Sequence, residues 1–240
     1  MKHAASRQAV EQKKKHQRQL KIVGHRGARG LAPENTLAAI DKALEYQVDE
    51  IEIDVRITAD NIAVLAHDPW IRTQKGPFIP IRQYTLKQLR QHKPDLVSLK
   101  TAIEHLDRRV PLQLEVKWGE PTAPVIAVIR QCLKDGWQAE DFLFGSKKQR
   151  TLLELHQALP AVPTVVIEPY LSIRGVLRAR QLNTKRLSMN YLGLWPGFLR
   201  SMRRRGYRVY AYTLDNPDKA REWLKSGLVG VITDYPSDYR

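Results

Sequence analysis

Short apolar runs of β character alternate along the chain with longer stretches of helical period. The runs are Lys21–His25, Glu50–Val55, Ile62–His67, Pro111–Lys117, Phe142–Gly145, Pro163–Glu168, Arg186–Asn190, Arg208–Thr213 and Gly230–Asp234. Between them, apolar residues recur at the spacing of one helical face near Asn35–Tyr46, Leu99–Leu106, Ala123–Lys134, Lys147–Leu159, Arg174–Gln181, Pro196–Arg205 and Pro217–Lys225. Strands alternating with helices predict βα units around a parallel sheet. Nine runs are one more than a (β/α)8 barrel needs. The gap from Val55 to Ile62 is too short for a crossover helix, and Asp60-Asn61 supplies turn chemistry, so the third run reads as a hairpin arm extending the second strand. The expected fold is therefore α/β, a single distorted (β/α)8 TIM-type barrel.

No Gly/Ser-rich or Pro-rich linker interrupts the pattern, so the 240 residues, 42% apolar, predict one barrel domain over residues 20–240. Residues 1–19 carry Lys2, Arg7, Lys13, Lys14, Lys15 and Arg18 against Glu11 alone, the composition of a flexible basic tail. The single Cys132 lies in a helical pattern and reads as a packed thiol, without a disulfide. No membrane-length apolar run and no signal-peptide core are present, which makes the cytoplasm the expected location.

Net charge changes the picture further. It is +15, and from Pro169 to Leu214 there are ten basic residues and no acidic one. One side of the protein should be positive, read first as a solvated face and second as a surface drawn to anionic lipid headgroups or to nucleic acid, between which the sequence does not decide. Specific nucleic-acid recognition is not expected, and oligomeric state is left open.

The chemistry gathers at the ends of the runs. A strand's period of two puts Glu52 and Asp54 on one face, and likewise Glu115 and Lys117. Carboxylates facing a barrel interior are tolerated as ligands or catalysts. In this fold functional groups sit at the C-terminal strand ends, where His25, Glu52, Asp54, His67, Glu115 and Lys117 all fall. Three convergent carboxylates without a thiolate favour oxygen ligation of Mg²⁺ or Ca²⁺.

Six motifs in order carry a resemblance: Gly24-His25-Arg26-Gly27, Pro33-Glu34-Asn35-Thr36, Glu52-Ile53-Asp54-Val55, His67-Asp68, Leu114-Glu115-Val116-Lys117 and Thr233-Asp234-Tyr235-Pro236. Together they resemble the glycerophosphodiester phosphodiesterase family. The resemblance implies a distorted barrel and metal-dependent hydrolysis of glycerophosphodiesters to glycerol 3-phosphate and an alcohol. It implies that Glu52, Asp54 and Glu115 bind the metal, that His25 and His67 are the acid/base pair, and that Arg26 and Lys117 hold the phosphate. Glu52 would also meet substrate hydroxyls.

Where the chain departs from the family, Tyr212 stands in place of a common tryptophan and Asp215 in place of a common asparagine. Tyr212 still offers an aromatic wall to the substrate. Glu34, with Asn35 or Thr36, is expected to serve a helix N-terminus, and Asp68 to orient His67. His92, His105 and His156 show no carboxylate partner in the sequence and are given no chemistry. Any lid would have to be made from Trp70, Phe78 and Tyr84, and the expected mouth is small and rather open. An alternative substrate class is the lysophospholipids, approached through Tyr191, Leu192, Leu194, Trp195, Phe198 and Leu199, although ordinary helix packing is the first expectation for that cluster. A third reading, a noncatalytic basic scaffold, leaves the clustered histidines and carboxylates without a purpose.

Overall fold

The computed structural model describes residues 20–72 and 76–239. The tail expected over residues 1–19 lies outside them. Eight parallel strands close a barrel: β1 (Lys21–His25), β2 (Glu50–Ile57), β6 (Leu112–Val116), β7 (Phe142–Ser146), β8 (Thr164–Glu168), β9 (Arg186–Asn190), β10 (Arg208–Tyr212) and β11 (Leu228–Thr233). The spatial order follows the chain, and pairing of β1 with both β2 and β11 shuts the cylinder. Crossovers run through α1 (Leu37–Glu45), α3 (Leu99–Leu106), α4 (Ala123–Lys134), α5 (Gln149–Ala158), α6 (Ser172–Gln181), α7 (Pro196–Arg204) and α8 (Pro217–Ser226). Most of these elements match the sequence pattern within two residues.

The expected hairpin is present. β3 (Ala63–Leu65) pairs antiparallel with the end of β2, Val55 opposite Leu65 and Ile57 opposite Ala63. The sequence pattern did not reveal the next three elements: β4 (Trp70–Arg72) and β5 (Phe78–Pro80) form a second ribbon, and α2 (Leu86–His92) packs beneath it. Their apolar residues, Ile71, Ile79, Ile81 and Leu89 among them, make a satellite cluster separate from the main core. Three-residue strands are too short to show a period of two, which explains the omission.

The main core lies between barrel and helices. Ile51, Ile53 and Val55 of β2 point outward into it, with Leu112, Leu114 and Val116 of β6 beside them. The alternate residues of the same strands therefore point inward, and Glu50, Glu52, Asp54, Gln113 and Glu115 are all buried. At the N-terminal end of the cylinder, Glu50 pairs with Arg186, whose guanidinium lies 4.2 Å from the Tyr210 ring centroid. Val23, Tyr210 and Ile232 then plug the interior. The plug leaves an accessible mouth at the opposite, C-terminal end.

Several expectations require correction. Arg178 and Arg186 from the acid-free stretch do not belong to a solvated face: both are largely buried and paired, with Glu168 and Glu50. A long basic side chain can turn inward to a carboxylate that packing sets beside it, which composition does not register. His105 has a carboxylate partner after all, Asp41 at 2.7 Å on the surface. Cys132 is half-buried against the core, as anticipated. Among the described residues no helix is long and apolar enough to cross a membrane.

Candidate active site at the barrel mouth

Strand register brings the predicted residues together. His25 is opposite Glu52 across β1 and β2, and Asp54 is opposite Glu115 across β2 and β6. Neighbouring parallel strands are about 4.8 Å apart, so one register step seats all three carboxylates around a common point. Their ligand oxygens lie within 4.8 Å of one another, and all three residues are buried. The Glu52 Oε1 atom is buried without a hydrogen-bond partner, while Oε2 accepts the backbone N–H of Arg26 at 3.1 Å. A buried, orphaned carboxylate oxygen among two other carboxylates suits a hard divalent cation.

The electrostatics match. Burial raises the Glu52 carboxyl, the neighbouring Asp54 charge raises it further, and together they push it up to about 7. Asp54 behaves in the opposite way. Burial would raise it as well, but the Lys117 and Arg26 cations beside it hold it far below the usual carboxylate range. Lys117 Nζ sits 2.5 Å from Asp54 and 2.8 Å from Glu115, and Lys147 Nζ is 3.1 Å from Glu115. At Glu52, then, a proton or a cation is favoured over a bare carboxylate.

The turn after β1 aims two groups. Arg26 and Gly27 both take positive φ, 52° and 86°. A Cβ on Gly27 would come within 2.5 Å of the Ala39 backbone, so the turn needs glycine there. This turn lets Arg26 double back over the carboxylates, Nε at 3.0 Å from Asp54, with Nη1 clamped by both oxygens of Glu34 at 2.9 and 2.8 Å. Glu34 is therefore a partner of Arg26, a correction to its helix-terminus reading; Thr36 alone caps α1, its hydroxyl accepting from Ala39 N–H. Asn35 adopts φ 58° and is buried, donating Nδ2–H to Asp54 at 2.9 Å and accepting the Asp54 N–H at 3.0 Å.

Each histidine carries a carboxylate on Nδ1, which leaves Nε2 for other work. His67 meets Asp68 at 2.8 Å and is a third exposed. Burial and the nearby Lys117 cation hold its imidazole below the usual range. His25 meets Asp234 at 2.5 Å. Asp234 received no role from the sequence, although the motif containing it was visible; 209 residues separate the pair, and only closure of β1 on β11 joins them. Asp215 braces that carboxylate's turn, accepting from Asp234 N–H and Thr233 Oγ1.

A cavity of about 150 Å³ opens here, lined by His25, Arg26, Glu52, Glu115 and Tyr212. Sequence reasoning missed its floor. Gln113 and Ser188 are fully buried there and, like the Tyr212 hydroxyl, lack a partner. Gln113 lies two residues before Glu115 on the same strand face, the only signal available. Trp70 and Phe78 pack edge to face at the ribbon, centroids 6.0 Å apart, both exposed.

The profile of the glycerophosphoryl diester phosphodiesterase family matches residues 25–238. A glycerophosphodiester phosphodiesterase of Caldanaerobacter subterraneus subsp. tengcongensis is 24% identical over 232 residues, spanning 90% of this chain and 94% of its own. Human lysophospholipase D GDPD1 is 26% identical over 281 residues, spanning 96% and 88%. Among solved structures, an Oleispira antarctica phosphodiesterase in complex with sn-glycerol-3-phosphate superposes with a TM-score of 0.77 at 26% identity, covering 91% of this chain and 94% of the other. A match over nearly the whole barrel, on a chain whose register assembles the motif residues into one mouth, makes this protein a member of the glycerophosphoryl diester phosphodiesterase family.

Proposed function

We propose that the protein hydrolyses glycerophosphodiesters to glycerol 3-phosphate and an alcohol at the barrel mouth, with Glu52, Asp54 and Glu115 holding Mg²⁺ or Ca²⁺. The observation that carries this reading is the meeting of three buried carboxylates beside the carboxylate-paired His25, with His67 near enough to Asp54 and Lys117 to feel their charges. A bound divalent cation would supply charge stabilisation for the nonbridging phosphoryl oxygens. Arg26, fixed by Glu34 and Asp54, adds a second positive group, and Lys117 keeps the carboxylates compact and faces the same anion. His67, its imidazole held below the usual range by burial and Lys117, takes the proton from the attacking water through Nε2. His25, oriented by Asp234, serves the opposite transfer to the leaving alkoxide. Tyr212 walls the cavity on the β10 side.

Lysophospholipids are the second reading. Exposed apolar side chains beside the mouth, Leu192 and Trp195 among them, favour acceptance of a substrate with an acyl chain.

The test is release of glycerol 3-phosphate from glycerophosphocholine and glycerophosphoethanolamine, with Mg²⁺, Ca²⁺ or chelator. Turnover dependent on a divalent cation is expected. Absence of product with either metal on every diester would sink the reading.

A further inference from the structure

We infer that the rim of the mouth above β6 to β9 is a docking surface for an anionic lipid bilayer, presenting the active site to that bilayer. Its most apolar part is built by two loops. Tyr170, Leu171 and Ile173, with Leu177 one turn on, come after β8, and Leu192 and Trp195 come after β9. Leu192 is 77% exposed, Tyr170 75% and Ile173 71%, values far from those of helix-packing residues. In the β9 segment Leu194, Phe198 and Leu199 are buried in the core, Leu192 is exposed, and Trp195 is half-exposed with its ring packed on Phe198. On α6 the same division holds, with Val176 and Ala179 packed inward and Ile173 and Leu177, four apart, on the outer side.

The two loops are one surface. Ser172 Oγ donates to Gly193 O at 2.5 Å, so they touch. Single exposed apolar residues are ordinary; six on two adjoining loops and the first half of α6 are not. The arc continues over neighbouring strands, because β6, β7, β8 and β9 are consecutive in the sheet. Trp118, 73% exposed, comes after β6, and Lys148 from the β7 loop lies 4.8 Å from its ring.

Charge selects the occupant. The chain carries a net charge of +15 and Lys148 is exposed at the rim, while Arg174, 5.8 Å from the Tyr170 ring, stands within the patch in an ion pair with Glu168. Leucine and isoleucine for the acyl boundary, tryptophan and tyrosine for the headgroup layer, and lysine and arginine for anionic lipid are the parts of an interfacial binder. Docking itself stands on this surface alone. Its consequence, turnover of lysophospholipid drawn from the bilayer, rests on the proposed phosphodiesterase activity.

The experiment is co-sedimentation of the full chain with vesicles of phosphatidylcholine, with or without phosphatidylglycerol, alongside hydrolysis of soluble glycerophosphocholine. The wild-type chain should sediment with the phosphatidylglycerol vesicles and poorly with phosphatidylcholine alone. The pair Ile173→Asp/Leu192→Asp should bind at least about tenfold more weakly, with soluble turnover unchanged. Should the carboxylates disturb the loops, Ile173→Ser/Leu192→Ser should still weaken binding severalfold. Wild-type protein that ignores anionic vesicles, or a folded double variant that binds them as well as wild type, overturns the inference. So does a wild-type dimer that these substitutions dissociate without changing vesicle binding. Loss of glycerophosphocholine turnover in the wild type would instead refute the catalytic reading and leave docking intact.

Discussion

Replacing His25 or His67 with alanine separates catalysis from structure. Each imidazole is assigned one proton transfer, worth on the order of 10² to 10⁴ in rate, or about 3 to 5 kcal/mol of barrel-mouth chemistry. The structural cost is small by comparison. His67 is 35% exposed and its Asp68 partner 57% exposed, so that pair contributes no more than about 1 kcal/mol to stability. His25 is more enclosed, at 12%, but its removal does not strand a charge, because Asp234 keeps Arg29 at 3.3 Å. The expected loss is about 1 to 2 kcal/mol, or a fall of a few degrees in Tm for a domain of this size. The assay is steady-state release of glycerol 3-phosphate beside a thermal melt on the same preparations. Both single variants should melt near wild type with turnover nearly abolished. Since the two groups act in one transition state, the double variant should lose far less than the product of the single losses. A variant that keeps near-wild-type kcat shows that its histidine is structural, and the acid/base assignment fails.

Asp234→Asn keeps the shape but not the charge on His25 Nδ1, and kcat should fall roughly 10- to 100-fold; an unchanged kcat would show that Asp234 only fills space. Glu50→Ala leaves Arg186 buried without its carboxylate at the far end of the barrel, costing about 3 kcal/mol in urea unfolding with little change in kcat. Glu52 gives a pH prediction. Its folded carboxyl is raised to about 7, so the stability tied to its protonated form is complete below pH 4.5 and is lost as pH climbs through about 7. A bound cation favours the ionised carboxylate, so the gap in Tm between metal-loaded and metal-free protein should widen from pH 5 to pH 8; a constant gap refutes the assignment of Glu52 as a ligand.

Alternation of β-type runs with helical periods determined the barrel, because in a βα barrel each element keeps its own apolar period and each connection is local. The same alternation located β3, since a short gap with turn residues admits only a hairpin. For the site, a period of two was enough to set Glu52 beside Asp54 and Glu115 beside Lys117 on single faces. What lay beyond one element's reach was decided by closure and register. Asp234 reaches His25 only because β11 pairs with β1, and Asp54 stands against Glu115 only because β2 and β6 align there. Glu34 turns onto Arg26 through the positive-φ turn at Arg26 and Gly27, a backbone choice that residue type permits but does not impose. Gln113 and Ser188 look like ordinary strand residues until the cylinder encloses them. Arg178 and Arg186 read as surface charge until folding sets each beside a carboxylate. Exposure was likewise tertiary: the apolar residues from Tyr191 to Leu199 are alike in sequence, and packing against the barrel buried some of them while leaving Leu192 exposed and Trp195 half-exposed.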